Sequence, residues 1–265
     1  MTADRRSSTS PASLFDLAGK VGVVTGASKG LGLATARALA AAGADLVLCA
    51  RTAERLAQAV DGLVRDGARA IGRTDDIARD GAAADLVDAA VREYGRLDFL
   101  VNNAAIVLPR YATEDIPVDE WDRVMATNLR GPFLLAQAAV RRFVTQGGGG
   151  KIVNLASKLG LTALPGTVPY STSKGGVIQM TRAMAIDVAR HGINVNAVAP
   201  GYVPTEGNEA VLARPGYKEW ALAHTPLGRF GRPEEIAAAV LYFVSPASGF
   251  ATGQVLYVDG GWTVQ

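Results

Sequence analysis

Cysteine occurs once in the chain, at Cys49, so no disulfide can form within it. Histidine occurs twice, at His191 and His224. That leaves no Cys/His set for zinc, and a Ser-His-Asp hydrolase would have to use one of those two rings. Charge of one sign is lacking too: 27 basic residues face 25 acidic ones, for a formal net charge of +2. Nothing in that balance points to nucleic acid or an anionic membrane surface as a partner. Charged or polar residues interrupt every long apolar stretch before it could span a bilayer. The segment from Met1 to about Phe15 is rich in Ser, Thr, Asp and Arg and has no apolar core of the signal-peptide type. Residues 1–16 therefore read as a disordered leader, and the whole as a soluble, cytoplasmic protein.

Apolar residues make up 49% of the 265, enough for a large buried core. Short β-branched runs read as buried strands: Val21 to Thr25, Leu46 to Cys49, Phe99 to Val101, Lys151 to Leu155, Val195 to Val198 and Val255 to Val258. Ala-rich stretches with helical spacing lie between them, such as Leu31 to Ala42 and Asp80 to Tyr94. Nearly continuous apolar strands suit a parallel sheet whose two faces are both covered. The alternation predicts an α/β fold over residues 17–265: a single-domain, Rossmann-like doubly wound parallel sheet flanked by helices on both faces. Gly147 to Gly150 reads as a flexible helix-to-strand turn. The alternation is broken at about 202–231, an insertion that holds Tyr217, Trp220 and His224. Ligands of open α/β sheets bind beyond the carboxyl ends of the strands, so this insertion is expected to act as a substrate lid.

The first strand runs into Thr25-Gly26-Ala27-Ser28-Lys29-Gly30-Leu31-Gly32, and a helix opens at once. Glycines let backbone turn tightly and approach a pyrophosphate, which then sits on free N–H groups at the helix start. The spacing resembles the Thr-Gly-x-x-x-Gly-x-Gly pattern of the classical short-chain dehydrogenases/reductases, and the likeness runs from about Leu17 to the carboxyl terminus. Asn102-Asn103-Ala104-Ala105 is similar to that family's Asn-Asn-Ala-Gly turn, with alanine in place of the last glycine. Asp76, with Ile77 beside it, stands where the family contacts adenine, and Asn128 matches its catalytic asparagine. Ser157 lies thirteen residues before Tyr170, and Tyr170 to Lys174 gives the Tyr-x-x-x-Lys signature. Pro200, Gly201, Val203 and Thr205 resemble the nicotinamide-side loop.

The resemblance implies four catalytic residues, Asn128, Ser157, Tyr170 and Lys174. It implies cofactor contacts at Gly26, Ser28, Lys29, Gly30, Leu31, Gly32, Arg51, Asp76, Ile77, Asn102, Ala104, Tyr170, Lys174 and the loop from Pro200 to Thr205. The residue types suit that chemistry on their own terms. Tyr170 and Lys174 are one helical turn apart and share a face. A free tyrosine has a pKa near ~10, and a nearby ammonium is expected to lower it. Ser157 is placed to donate to a substrate oxygen on which charge develops. In the family picture Lys174 also holds the ribose, and Asn128 holds a water that links Lys174 to solvent.

Cofactor choice is read at the end of the second strand. NAD-preferring relatives carry an acid there for the adenosine 2′-hydroxyl, whereas this chain has Ala50 followed by Arg51. Arginine pairs with a 2′-phosphate and a carboxylate repels it. With Lys29 as a second cation, the expected cofactor is NADP. The reading is therefore an NADP(H)-dependent oxidoreductase that interconverts a secondary alcohol and a ketone, on a small carbonyl or sugar-acid substrate. A 3-oxoacyl-carrier-protein reductase is the alternative within the class. A non-catalytic cofactor-binding regulator is the alternative outside it, and such a protein would ordinarily show a broken catalytic set. The resemblance also implies a homotetramer, with a dimer second. It would pair helices at about Val118 to Phe143 and Tyr170 to His191 through faces that include Val177, Met180, Met184 and Ile186. His191, beside Gly192, is expected to cap helix carbonyls.

Overall fold

The computed structural model of the chain describes residues 11–107 and 110–265, so residues 1–10 of the expected leader lie outside it. Pro11–Phe15 forms a 3₁₀ turn, and Leu17 just after it is fully buried. The main elements follow in order: β1 (Val21–Thr25), α1 (Gly30–Ala41), β2 (Asp45–Ala50), α2 (Ala53–Arg65), β3 (Ala70–Thr74), α3 (Ala82–Tyr94), β4 (Phe99–Asn102), α4 (Val118–Met125), α5 (Gly131–Gln146), β5 (Gly150–Leu155), α6 (Val168–Val188), β6 (Ile193–Pro200), α7 (Glu209–Leu212), α8 (Tyr217–Ala223), α9 (Pro233–Val244) and β7 (Val255–Val258).

All seven strands are parallel neighbours in the order β3-β2-β1-β4-β5-β6-β7. Side chains alternate across the sheet, and both faces are buried. Val24, Leu46, Leu48, Phe99 and Val153 pack with Leu39, Leu56 and Ile236 of α1, α2 and α9. Val23, Val47, Leu100 and Ile152 pack with Leu86, Leu135 and Val188 of α3, α5 and α6. This two-sided cover is why the strand sequences show almost no polar alternation. The strand order reverses between β1 and β4, so their carboxyl ends diverge into the crevice where such sheets bind ligands. The glycine turn after β1 and the Asn102-Asn103 turn after β4 meet there.

One expectation changes. The long helix from about Val118 to Phe143 is divided: a π turn, Ala126–Arg130, separates α4 from α5. The segment at 202–231 carries two short helices, α7 and α8, as well as loop. Among the described residues no helix is long and apolar enough to cross a membrane, and no cluster of His, Cys, Asp and Glu could hold a metal ion.

Candidate active site

The cofactor side is built from close backbone approaches. Gly26 has φ +65°, and a Cβ on it would lie 2.8 Å from the Ala104 Cα. A Cβ on Gly32 would lie 2.2 Å from the Gly26 carbonyl oxygen, so no side chain fits. Ser28 and Lys29 fill the turn, Lys29 precedes the first turn of α1, and Gly30, Leu31 and Gly32 form that turn. Asn103 ties this turn to the next: its Nδ2 donates to the carbonyls of Thr25 (2.9 Å) and Gly26 (3.2 Å). Thr25 Oγ1 in return accepts from the N–H groups of Asn103 and Ala104. The result is a cradle with backbone facing outward at a helix start, which fits a pyrophosphate.

The other expected cofactor residues border this cradle. Arg51 is exposed and makes a loose 3.9 Å ion pair with Asp76. Asp76 also accepts from the Ala78 N–H, and Ile77 is buried against Gly131. Thr205 lies beside Gly30. Asn208 clips the Pro200–Thr205 loop by accepting from the Thr205 N–H and donating to the carbonyl of the buried Val203. Gly201 backs onto Asp259, 2.6 Å from where its Cβ would be. Asn102 is the exception. Its side chain turns into the sheet and donates to the Pro132 carbonyl and to Asn154 Oδ1, so only its backbone is left for a ligand. Ala105 takes the place of the family's glycine without strain, because no described residue other than glycine has positive φ.

The four expected catalytic residues converge between β5, α6 and the π turn. Ser157 ends the β5 segment, and its Oγ accepts from the Leu159 N–H at 3.1 Å. Tyr170 sits in the first turn of α6, where Pro169 suits the helix start. Lys174, one turn on, is 3% exposed and donates from Nζ to the Leu155 carbonyl at 2.6 Å. Burial pushes its ammonium down to about 8. The Tyr170 phenol departs from expectation. Burial raises its pKa, the hydrogen bond with Ser157 opposes that rise, and Lys174 contributes nothing resolvable. The Lys174 Nζ is 5.8 Å from the tyrosine ring centre.

Asn128 lies in the π turn. Its side chain is fully buried and committed to protein: Oδ1 accepts from the Ile106 N–H at 2.8 Å, and Nδ2 donates to the Ile106 carbonyl and to Ser173 Oγ. The asparagine therefore clamps the loop after β4, and any water is left to its main chain. π turns mark functional sites often enough that this break in the helix is itself a pointer. His191 also departs from expectation: its Nε2 accepts from Arg190 Nε.

Sequence reasoning missed a cluster beside this site. Tyr202, Tyr217, Trp220, His224 and Trp262 form successive ring contacts at 4.7–5.9 Å. Lys158 points into it. Tyr217, Trp220 and His224 were visible in the lid sequence, but their convergence on the carboxyl terminus was not.

Residues 26–263 match the family model described as enoyl-(acyl carrier protein) reductase. Gluconate 5-dehydrogenase of Gluconobacter oxydans (strain 621H) is 42% identical over 95% of this chain and 97% of its own length. A solved short-chain type dehydrogenase/reductase from Mycobacterium marinum has a TM-score of 0.92 at 39% identity, covering 97% of this chain and all of its own. A gluconate 5-dehydrogenase from Burkholderia cenocepacia J2315, solved in complex with NADP and tartrate, also has a TM-score of 0.92, at 36% identity over 97% of this chain and all of its own. Agreement over nearly the whole length places the chain in the short-chain dehydrogenase/reductase family of oxidoreductases.

Proposed function

We propose that the chain is an NADP(H)-dependent enzyme that interconverts a secondary alcohol and a ketone on a sugar acid of the gluconate type. The observation that carries the reaction is the convergence of Ser157 and Tyr170, near enough for the serine to act on the phenol's pKa, beside a buried Lys174. Gly26 to Gly32 would cradle the pyrophosphate, Arg51 and Lys29 would meet the 2′-phosphate, and the loop from Pro200 to Thr205 would close on the nicotinamide side. When bound, NADP(H) supplies or accepts the hydride at the substrate carbon. Ser157 holds the substrate oxygen by a hydrogen bond that strengthens as charge develops there. Tyr170 gives that oxygen a proton in reduction and removes one in oxidation. Because burial raises its pKa, the phenol is protonated at neutral pH and ready to donate. Lys174, held by the Leu155 carbonyl, fixes the ribose and passes protons onward. Asn128 holds the β4 loop against this group and offers its main-chain carbonyl to the relay water.

The sugar-acid reading draws its support from two of the relatives, each a gluconate 5-dehydrogenase. NADP draws support from the Burkholderia structure and from the absence of an acid at Ala50. Assembly as a homotetramer, or a dimer, belongs to the same reading. A panel of keto sugar acids, neutral ketones and acyl thioesters, followed by loss of NADPH absorbance, tests it. Keto sugar acids should give the highest kcat/KM. A preference for acyl thioesters would make the chain a 3-oxoacyl-carrier-protein reductase instead.

A further inference from the structure

One cation beside the catalytic pair has no part in that mechanism. Lys158 follows Ser157 directly and is 2% exposed. Its Nζ has no hydrogen-bond partner among the described residues. It lies 3.3 Å from the centre of the Tyr202 ring and 3.1 Å from that of Trp262, two rings that meet edge to face. Cation–π contacts replace part of the lost hydration. An ammonium nevertheless carries three donors, and here none of them reaches an acceptor. Burial lowers its pKa to about 7, and Asp259 opposes that only through its charge. The carboxylate of Asp259 is already engaged, accepting from the Gly261 N–H, the Thr263 N–H and the Thr263 hydroxyl. A buried cation without an anion is less favourable than an apolar side chain of the same size. An anion that comes from outside the chain, next to Ser157, would hold Lys158 charged and supply the acceptor it lacks.

The surroundings say where that anion enters. Tyr202 lies in the loop from Pro200 to Thr205, and its hydroxyl meets that of Tyr217 at 2.8 Å. Arg110 Nη2 donates to the Tyr217 hydroxyl at 2.9 Å. Arg110 also backs onto Gly166, 2.7 Å from where a Cβ there would sit, four residues before Tyr170. Arg110, Tyr217, Tyr202 and Lys158 thus form a chain of contacts that ends next to Ser157, drawn from the segments after β4, β5 and β6. A substrate with its oxygen on Ser157 would lie beside the end of this chain. Arg110 is exposed and already has a phenol to donate to; Lys158 is enclosed and has nothing.

We propose that Lys158 is a specificity-determining residue that receives the carboxylate of the substrate, exchanging the Tyr202 and Trp262 ring faces for a charge-assisted hydrogen bond when an acid enters. The inference rests on the sugar-acid reading and adds an orientation to it. The reacting hydroxyl lies at Ser157 and Tyr170, and the carboxylate points toward Trp262. A neutral ketone leaves Lys158 on its rings.

Two ligands with one carbon chain test this directly: tartrate, which carries two carboxylates, and threitol, which carries none. Each is titrated by calorimetry into the NADP-loaded wild type, Lys158→Met and Lys158→Arg, with no turnover required. Methionine keeps the length and the packing between the rings without the charge. Loss of one hydrogen bond between charged groups should weaken tartrate by about 10–100-fold in Lys158→Met. Lys158→Arg should retain most of the affinity, and threitol should bind all three proteins alike. Equal tartrate affinity in wild type and Lys158→Met would overturn the proposal, and so would equal weakening of both ligands. A wild type that reduces keto sugar acids while Lys158→Met binds tartrate unchanged keeps the sugar-acid reading and loses only the anchor. A wild type that neither reduces keto sugar acids nor binds tartrate loses the reading and the anchor together.

Discussion

Tyr170 and Arg51 are the residues on which single substitutions say most. Tyr170→Phe removes the transferable proton but keeps the ring. Turnover should fall at least ~100-fold, with NADP affinity retained in a fluorescence titration. Because burial raises the phenol's pKa, phenolate is scarce at neutral pH. Oxidation by wild type should therefore climb as pH rises through the alkaline range, while reduction does not, and the phenylalanine variant should lose that climb. Wild-type turnover in Tyr170→Phe would remove Tyr170 from the mechanism. Arg51 makes only a loose, exposed pair with Asp76, so its charge is free to meet a 2′-phosphate. Arg51→Ala should raise the KM for NADPH by about one to two powers of ten and hardly change that for NADH, at one fixed salt concentration. Equal effects on both cofactors would make Arg51 a solvated charge. Tyr170 and Arg51 could be singled out because a helix-turn spacing and a strand-end position mark them within the resemblance. Lys158 could not. Its burial is imposed by Tyr202 and Trp262, which lie far along the chain, and a lysine after a serine carries no local mark of that.

Legibility changes at the scale of elements. Strands β1 and β7 match their apolar runs to the residue. β3 was not among those runs because it is an edge strand, Ala70-Ile71-Gly72-Arg73-Thr74, whose last three residues are exposed. Such a strand needs no second apolar face. The π turn between α4 and α5 was equally silent, since one residue of extra winding leaves no signature in hydrophobic spacing. Its effect is read through Asn128, which holds both polar backbone groups of Ile106. Asn128→Ala leaves those groups without their partner in a part-buried site, at about 1–3 kcal/mol for each left unsatisfied. Urea unfolding should show a loss of that order. Amide exchange at Ile106 should accelerate far more than at strand residues such as Val101. Unchanged exchange at Ile106 would mean that the β4 loop is held by something other than this clamp.

The whole molecule leaves apolar surface uncovered, and its distribution bears on assembly. Of the four α6 residues expected to meet a partner, Val177 is buried in the chain's own core and Met184 packs partly against it. Ile186 is 80% exposed. On the preceding helices, Val118, Phe133 and Val144 are also exposed. The sequence reading therefore assigned too much of α6 outward, because periodicity does not say which apolar stripe faces the sheet. The far edge offers a second patch. β7 has a neighbour on one side only, Leu256 on it is 40% exposed, and Phe250 just before it is wholly exposed. An open apolar edge strand invites association unless a partner covers it. Two separate patches, each closed by a two-fold axis, build a tetramer, whereas one alone builds a dimer. Light scattering at micromolar concentration should give the mass of four subunits. A charge at one patch should break only that contact: Phe133→Asp should leave a dimer held through the β7 edge, and Leu256→Asp a dimer held through the helices. A wild-type mass near one subunit would refute the assembly. Retention of four subunits in both variants would show that neither patch forms the interface.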